Sequence, residues 1–313
     1  MSQIITNLTS LPSYRLGVSG RFRAILRDLM GRPVQDTGWF DNLILDSGIP
    51  LMNNGNWFWR MYIGSNGTAS DVSMTGIQTF LAQAQGSTNV QGAGVFPNYE
   101  ANGISSVRFI ENVGTGIIRE FGIGLSNDNS GSQCVARQVV TPEINKGVDN
   151  VLDLYYDFTI WPPTGDSLAN GVLIGTETYN TVTRTANIED ALYIYRAFGI
   201  AISSYYYLFD GVIGTITGSP TGTSDTSASL ETYGTLTQNG SEWYRDVTYL
   251  TDINNANFPT GVSAALVRHN SNQYYQTSFK ADGNGTLPVD SPIPKNDTNE
   301  IDLTYRTYWG RKV

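Results

Sequence analysis

Arg21-Phe22-Arg23-Ala24-Ile25-Leu26-Arg27 alternates in part between charged and apolar side chains; Met30-Gly31-Arg32-Pro33 then supplies a turn, and Val34 to Leu45 extends again. An alternating run, a Gly/Pro turn and a second extended run spell a β-hairpin. The same pattern recurs at Trp57–Ile63, Ile104–Ile110, Gly116–Leu125, Gln133–Val140 and Val151–Ile160. It returns at Gly171–Tyr179, Ala191–Ile202, Tyr205–Ile213, Trp243–Leu250, Val262–Arg268, Gln273–Phe279 and Glu300–Tyr308. These runs are rich in Val, Ile, Tyr, Phe and Thr, which suit a pleated, half-buried surface. Short strands between frequent turn signals predict an all-β sandwich or barrel. Helix signals are few. The spacing allows one short helix over Asp71–Gln83, capped by Asp71 or Ser73, and residues 187–197 read as either helix or strand.

An internal match organises the chain. Lys146-x-x-x-Asn150-x-Leu152-Asp153-Leu154-x-Tyr156 aligns without a gap on Lys295-x-x-x-Asn299-x-Ile301-Asp302-Leu303-x-Tyr305, with five of eleven positions identical. The copies lie almost half the chain apart. The expected fold is therefore two related β-sandwich-like domains behind an N-terminal β-hairpin, with few short helices. Residues 1–36 form the basic hairpin segment, 37–163 the first sandwich, and 164–313 a divergent repeat of it. At about 150 residues per domain, a chain of 313 residues accommodates this.

Composition narrows the function. Lys and Arg number 19 against 28 Asp and Glu, a net charge of −9, which argues against a general nucleic-acid binder. No apolar run reaches the length of a membrane-spanning helix, and the first residues lack the pattern of a secretory leader. One Cys and one His cannot supply a His/Cys zinc site, so neither metal nor cofactor is expected. Cys134 reads as a small packed side chain and His269 as a strand-end residue. Asp153 and Asp157 share one strand face and form a candidate carboxylate pair, yet Arg306 replaces the second acid in the matching copy. Ser126–Gly131 and Asp282–Gly285 offer oxygen ligands beside glycine but lack the EF-hand spacing, and read as turns. Gly114-Thr115-Gly116 and Gly122-Ile123-Gly124 lack the helix and Lys-Ser/Thr of a phosphate loop.

Two further groups are candidate interface residues. Arg15, Arg21, Arg23, Arg27 and Arg32 crowd the first 35 residues, opposed locally by Asp28 alone. They read either as a docking surface for an acidic partner or as the charged guard of an edge strand. Trp57-Phe58-Trp59, Tyr205-Tyr206-Tyr207 and Tyr274-Tyr275 place aromatics on both faces of their strands. One face packs; the other, with Trp57, Trp59, Tyr205, Tyr207 and Tyr274 as candidates, meets a partner, a sugar ring or more core.

The order of motifs carries a resemblance. Thr37-Gly38-Trp39-Phe40-Asp41-Asn42-Leu43-Ile44-Leu45-Asp46-Ser47-Gly48-Ile49 resembles a "W-x-N-L-I-x-x-x-G" segment of structural proteins of tailed bacteriophages. Tyr62-Ile63-Gly64-Ser65-Asn66-Gly67-Thr68-Ala69-Ser70-Asp71 is similar to the Gly/Ser-rich stretch that follows it there. Ile118-Arg119-Glu120-Phe121-Gly122-Ile123-Gly124, Cys134-Val135-Ala136-Arg137 and Leu152-Asp153-Leu154-Tyr155-Tyr156 resemble three further segments in the same order. The likeness covers about residues 37–160 and implies a non-enzymatic structural protein of the tail-fibre, collar or baseplate type. It implies location in the virion after synthesis in the bacterial cytoplasm, with copies of itself and neck, tail or capsid proteins as partners. No stalk of heptads or collagen-like repeats is present, which favours a compact module. A receptor-binding module for host-surface glycans and a capsid decoration protein are the alternatives.

Overall fold

Alternating apolar positions give twenty-two strands and one helical turn among the described residues. In the computed structural model these residues are 2–5, 11–53, 57–93, 101–125, 127–186, 205–216, 218–227, 230–269 and 272–312. The chain divides into two units, one holding Val18–Gly92, Ala101–Ile160 and Gly310–Val313, the other Met1–Gly17 and Trp161–Trp309. The expected separate segment 1–36 is thus shared between the units, with the division falling inside its long strand. That strand is no appendage: Leu16, Val18, Phe22, Ala24 and Leu26 are all buried.

In the first unit one sheet runs in the order β2 (Ser13–Arg27), β12 (Val151–Trp161), β9 (Ala101–Phe109) and β8 (Ser87–Ala93). β3 (Pro33–Asp36) and β4 (Phe40–Asp41) fold back on β2, with Ile25 opposite Asp36 and Phe22 opposite Phe40. The second sheet runs β5 (Leu43–Ile44), β11 (Cys134–Lys146), β10 (Gly116–Gly124), β6 (Arg60–Gly64) and β7 (Phe80–Gln85). Alternation sends Phe22, Phe121 and Tyr156 into the space between the sheets, where Phe22 lies 5.9 Å from Phe121 and 4.9 Å from Tyr156. Trp57, Phe58 and Phe158 extend this core, with ring centroids 4.8–5.1 Å apart. Such pairs contribute about 0.5–1.5 kcal/mol each beyond the area they bury.

The second unit repeats the plan. One of its sheets holds β17 (Leu230–Tyr233), β19 (Glu242–Thr251) and β22 (Asn299–Arg311), with β18 (Thr237–Asn239) on β19. β1 (Ser2–Ile5) runs parallel to β22, Ser2 opposite Asn299 through Ile5 opposite Asp302. The other sheet runs β13 (Ser167–Ile174), β14 (Glu177–Thr185), β21 (Asn272–Ala281), β20 (Ala264–His269), β15 (Tyr205–Phe209) and β16 (Ser224–Ser227). Here the core is tyrosine. Tyr206 stacks on Tyr249 at 4.6 Å, Tyr275 lies 5.6 Å from Tyr305, and the Tyr206 and Tyr305 hydroxyls meet at 2.6 Å.

Strand for strand, β12-β9-β8 corresponds to β22-β19-β17, and β11-β10-β6-β7 to β21-β20-β15-β16. The matched sequence stretches adopt one local structure. The Gly147 amide donates to Asn150 Oδ1 at 2.9 Å, and the Asn296 amide to Asn299 Oδ1 at 2.8 Å. The Asn150 amide returns to Gly147 O and that of Asn299 to Asn296 O. Each Asx turn starts a strand whose Leu152/Ile301, Leu154/Leu303 and Tyr156/Tyr305 are buried. The lysine before each turn is buried as well, and loss of solvent lowers both ammonium pKa values.

One expectation needs correction. Asp71–Gln83 forms no helix: it is a run of turns leading into β7. Asp71 Oδ1 accepts the Ser73 amide locally, and the Gln78 and Thr79 amides donate to a distant carboxylate instead of to a helix. The one described helical turn, α1 (Gly48–Leu51), lies elsewhere. Residues 187–197, read as helix or strand, fall outside the described residues.

Candidate functional site

Three of the five stretches that carried the resemblance, 62–71, 118–124 and 134–137, meet at one place. Along β10, alternation turns Phe121 to the inter-sheet core and Glu120, Gly122 and Gly124 to the opposite face. Residues 65–79, between β6 and β7, cross that face as a third layer. Glu120 and Arg137 form a fully buried ion pair, Nε to Oε2 2.8 Å. Glu120 also accepts the Gln78 amide at 3.0 Å, Thr79 at 2.9 Å and Asn66 at 3.2 Å. Arg137 donates to Thr68 O at 3.1 Å and Ser70 Oγ at 3.0 Å. A buried pair gains stability only when further hydrogen bonds offset its lost hydration, and here the loop supplies them.

Small residues allow the loop this close. A Cβ on Gly122 would sit 2.8 Å from Cys134 Sγ and 3.0 Å from Ile77; one on Gly64 would sit 2.5 Å from Glu120 Oε1. Leu45, Tyr62, Ile77 and Cys134 make the small apolar core beneath, with Met74 against it. Burial raises the Cys134 thiol and the Tyr62 phenol, so both stay protonated near neutral pH.

The second unit holds its corresponding loop, between β15 and β16, by neutral chemistry. Gln276, fully buried on β21, accepts the Gly214 amide at 2.8 Å through Oε1. Its Nε2 donates to Thr215 O at 2.7 Å and Gly218 O at 3.2 Å. Ala186, Phe209, Ala264 and Leu266 pack nearby with Tyr207 and Ile213. Sequence reading missed Glu120, Arg137 and Gln276. Glu120 sits next to Arg119 and Arg137 next to Gln138, so no local pattern sets them apart from surface residues of a strand.

The arginines of the first 35 residues are all engaged within the chain. Arg21 pairs with Asp157 at 2.6 Å, Arg23 with Asp36 at 2.6 Å, Arg27 with Asp153 at 2.8 Å and Arg32 with Asp28 at 2.7 Å. Arg15 pairs with Glu242 and lies over the Tyr308 ring. Arg108 adds a second bridge to Asp153, Nε to Oδ1 2.6 Å. The outer face of β2, β12 and β9 is therefore a lattice of cross-strand ion pairs, and the basic cluster, opposed locally in sequence by Asp28 alone, is matched by carboxylates from β3 and β12. Asp153 and Asp157 do share a face, but each is held by arginine. Burial alone would raise the Asp153 carboxyl; hydrogen bonds from Arg108 and Arg27 outweigh it and hold the group below the usual range. A glycosidase acid needs the opposite shift.

The aromatic candidates separate. Trp57 is fully buried against Phe58 and Phe158, correcting its reading as a partner-facing residue. Trp59 is half-buried after it. Tyr207 packs beneath the β15–β16 loop. Tyr205 and Tyr274 take strand positions, and their side chains lie outside the described residues. The two loops weighed as calcium sites are Asx turns: Asp128 accepts the Ser130 and Gln133 amides at 2.9 Å, and Asp282 the Asn284 amide at 2.8 Å. Among the described residues no three His, Cys, Asp or Glu side chains gather as a metal cluster.

One open cleft of about 680 Å³ lies in the second unit, lined by Phe258, Pro259, Pro292, Pro294, Lys295 and Asn296 among others. The Lys295 ammonium donates to Asn257 Oδ1 at 2.8 Å and Asn296 O at 3.0 Å. Comparison of the chain with family models, with curated proteins and with solved structures finds no match.

Proposed function

We propose that this chain is a non-enzymatic structural component of a tailed-phage virion, a neck, tail or fibre-attachment module that works through contacts with copies of itself and with neighbouring virion proteins. The observation that supports this reading best is the use made of the motif residues. Gly64, Glu120, Gly122, Cys134 and Arg137 fasten the β6–β7 loop over a sheet, with Glu120, Arg137 and Cys134 fully buried. The Arg–Asp lattice of the outer face fits the same reading, because cross-strand bridges stiffen a face without leaving free acids or bases on it. The test is absolute mass by light scattering of the full chain, with a pull-down against the other structural proteins of the particle. A defined oligomer or a stable complex is the expected result. A monomer that captures no virion protein overturns the proposal.

A second reading is host-glycan recognition, favoured by the cleft of Phe258, three prolines and the amide groups of Asn257 and Asn296. Apolar rings beside amide groups suit a sugar. Titration with oligosaccharides, repeated on Asn257→Ala, decides it; binding that the substitution leaves unchanged would place the sugar elsewhere.

A further inference from the structure

From Val72 to Tyr99 the chain carries no charged residue, the longest such run in the sequence. β7 and β8 both lie within it, and each ends a sheet among the described residues. Sheet edges left uncharged and unbroken invite pairing with another strand. The other sheet ends are guarded. β5 is two residues long. β16 and β17 have four residues each and carry Asp225 and Glu231. β13 is interrupted by a bulge between Ala169 and Val172, with Gly171 at φ +66°. β7 has six residues, no charge, and its one irregularity lies at its start, where Gly64 meets Phe80.

The register tells which backbone groups of β7 point away from β6. Gly86 N donates to Trp59 O at 2.7 Å, so that pair is a hydrogen-bonded one. Alternation then makes Met61/Ala84 and Ile63/Ala82 bonded pairs, and Arg60/Gln85 and Tyr62/Gln83 non-bonded ones. Gln83 and Gln85 therefore direct their main-chain N–H and C=O away from β6, toward the side on which no described strand pairs with β7. Phe80 is 42% exposed at its start.

Resting on the assembly reading above, we infer that the β7 edge is where a second copy of this chain joins, by antiparallel pairing of β7 with its twin across a two-fold axis. Centred on Gln83, that register sets Leu81 opposite Gln85 and Ala82 opposite Ala84, so no like charges face one another. Each copy carries a net −9, and an uncharged edge is the part of such a molecule that a second copy approaches with least repulsion.

The experiment is sedimentation equilibrium of the full chain beside Gln83→Pro and Gln83→Thr. Proline at 83 removes only an N–H that β6 does not use, which an edge strand tolerates. Wild type and Gln83→Thr should be dimers, and Gln83→Pro a folded monomer by circular dichroism. If proline disturbs folding, Gln83→Lys/Gln85→Lys substitutes: its dimer should weaken at least tenfold at low salt and recover at high salt. A folded Gln83→Pro or double-lysine variant that dimerises like wild type overturns the edge assignment while leaving self-assembly intact. A monomeric wild type overturns both.

Discussion

Glu120 and Arg137 show how a single pair can be costly to break. Both are fully buried, and every hydrogen bond they make beyond their own bridge goes to the β6–β7 loop or the residues beside it. Arg137→Leu would leave a carboxylate in the interior with no cation. We expect a loss of about 3–5 kcal/mol, read as a lower urea midpoint; a loss under 1 kcal/mol would mean the pair is not buried as described. Asp153 answers to pH. Its folded pKa lies below the unfolded value, so its bridges to Arg27 and Arg108 stabilise the fold above the unfolded pKa. That contribution disappears as pH falls through the folded pKa. Urea midpoints of wild type and Asp153→Asn should therefore differ at pH 7 and converge from about pH 5 toward pH 2. A gap that stays constant with pH would refute this. Exposed bridges such as Arg32–Asp28, by contrast, contribute about 0–1 kcal/mol.

Elements were legible in proportion to how local their causes are. The turn at Met30–Pro33 and the strands on either side follow from neighbours in sequence, and the Asx turns at Asn150 and Asn299 show in the matching spacing of the two stretches. The depth of β2 was hidden. Arg21, Arg23 and Arg27 look like an exposed edge until β12 brings Asp153 and Asp157 across. The false helix at Asp71–Gln83 has the same origin, since the group that takes the Gln78 and Thr79 amides lies about forty residues away. Packing of that loop on the sheet gives a further expectation. Gly122→Ala puts a methyl against Cys134 and Ile77 and should cost about 1–3 kcal/mol through overpacking. It should also speed amide exchange at Gln78 and Thr79. Gly165→Ala, with open space around it, should stay within about 0.5 kcal/mol of wild type; equal effects in the two variants would contradict the close contact.

At the scale of the whole molecule, charge sets the sign of salt effects. With the N-terminal arginines matched by carboxylates, two copies of net charge −9 repel. Screening shortens from about 10 Å at 0.1 M salt to about 3 Å at 1 M. Self-association through an uncharged edge should therefore tighten between those concentrations, measured by sedimentation. Weakening would instead point to docking through opposite charges. The pairing of β1 with β22 has a consequence of another kind. Among the described residues, β1 and β22 lie side by side and parallel, joined over four paired positions from Ser2/Asn299 to Ile5/Asp302. A pull that draws the start of β1 and the end of β22 in opposite directions slides one strand along the other. All the rungs between them then carry the load together, instead of opening one after another as in a peeled hairpin. Tension applied along that line is therefore resisted in shear by the four rungs acting at once.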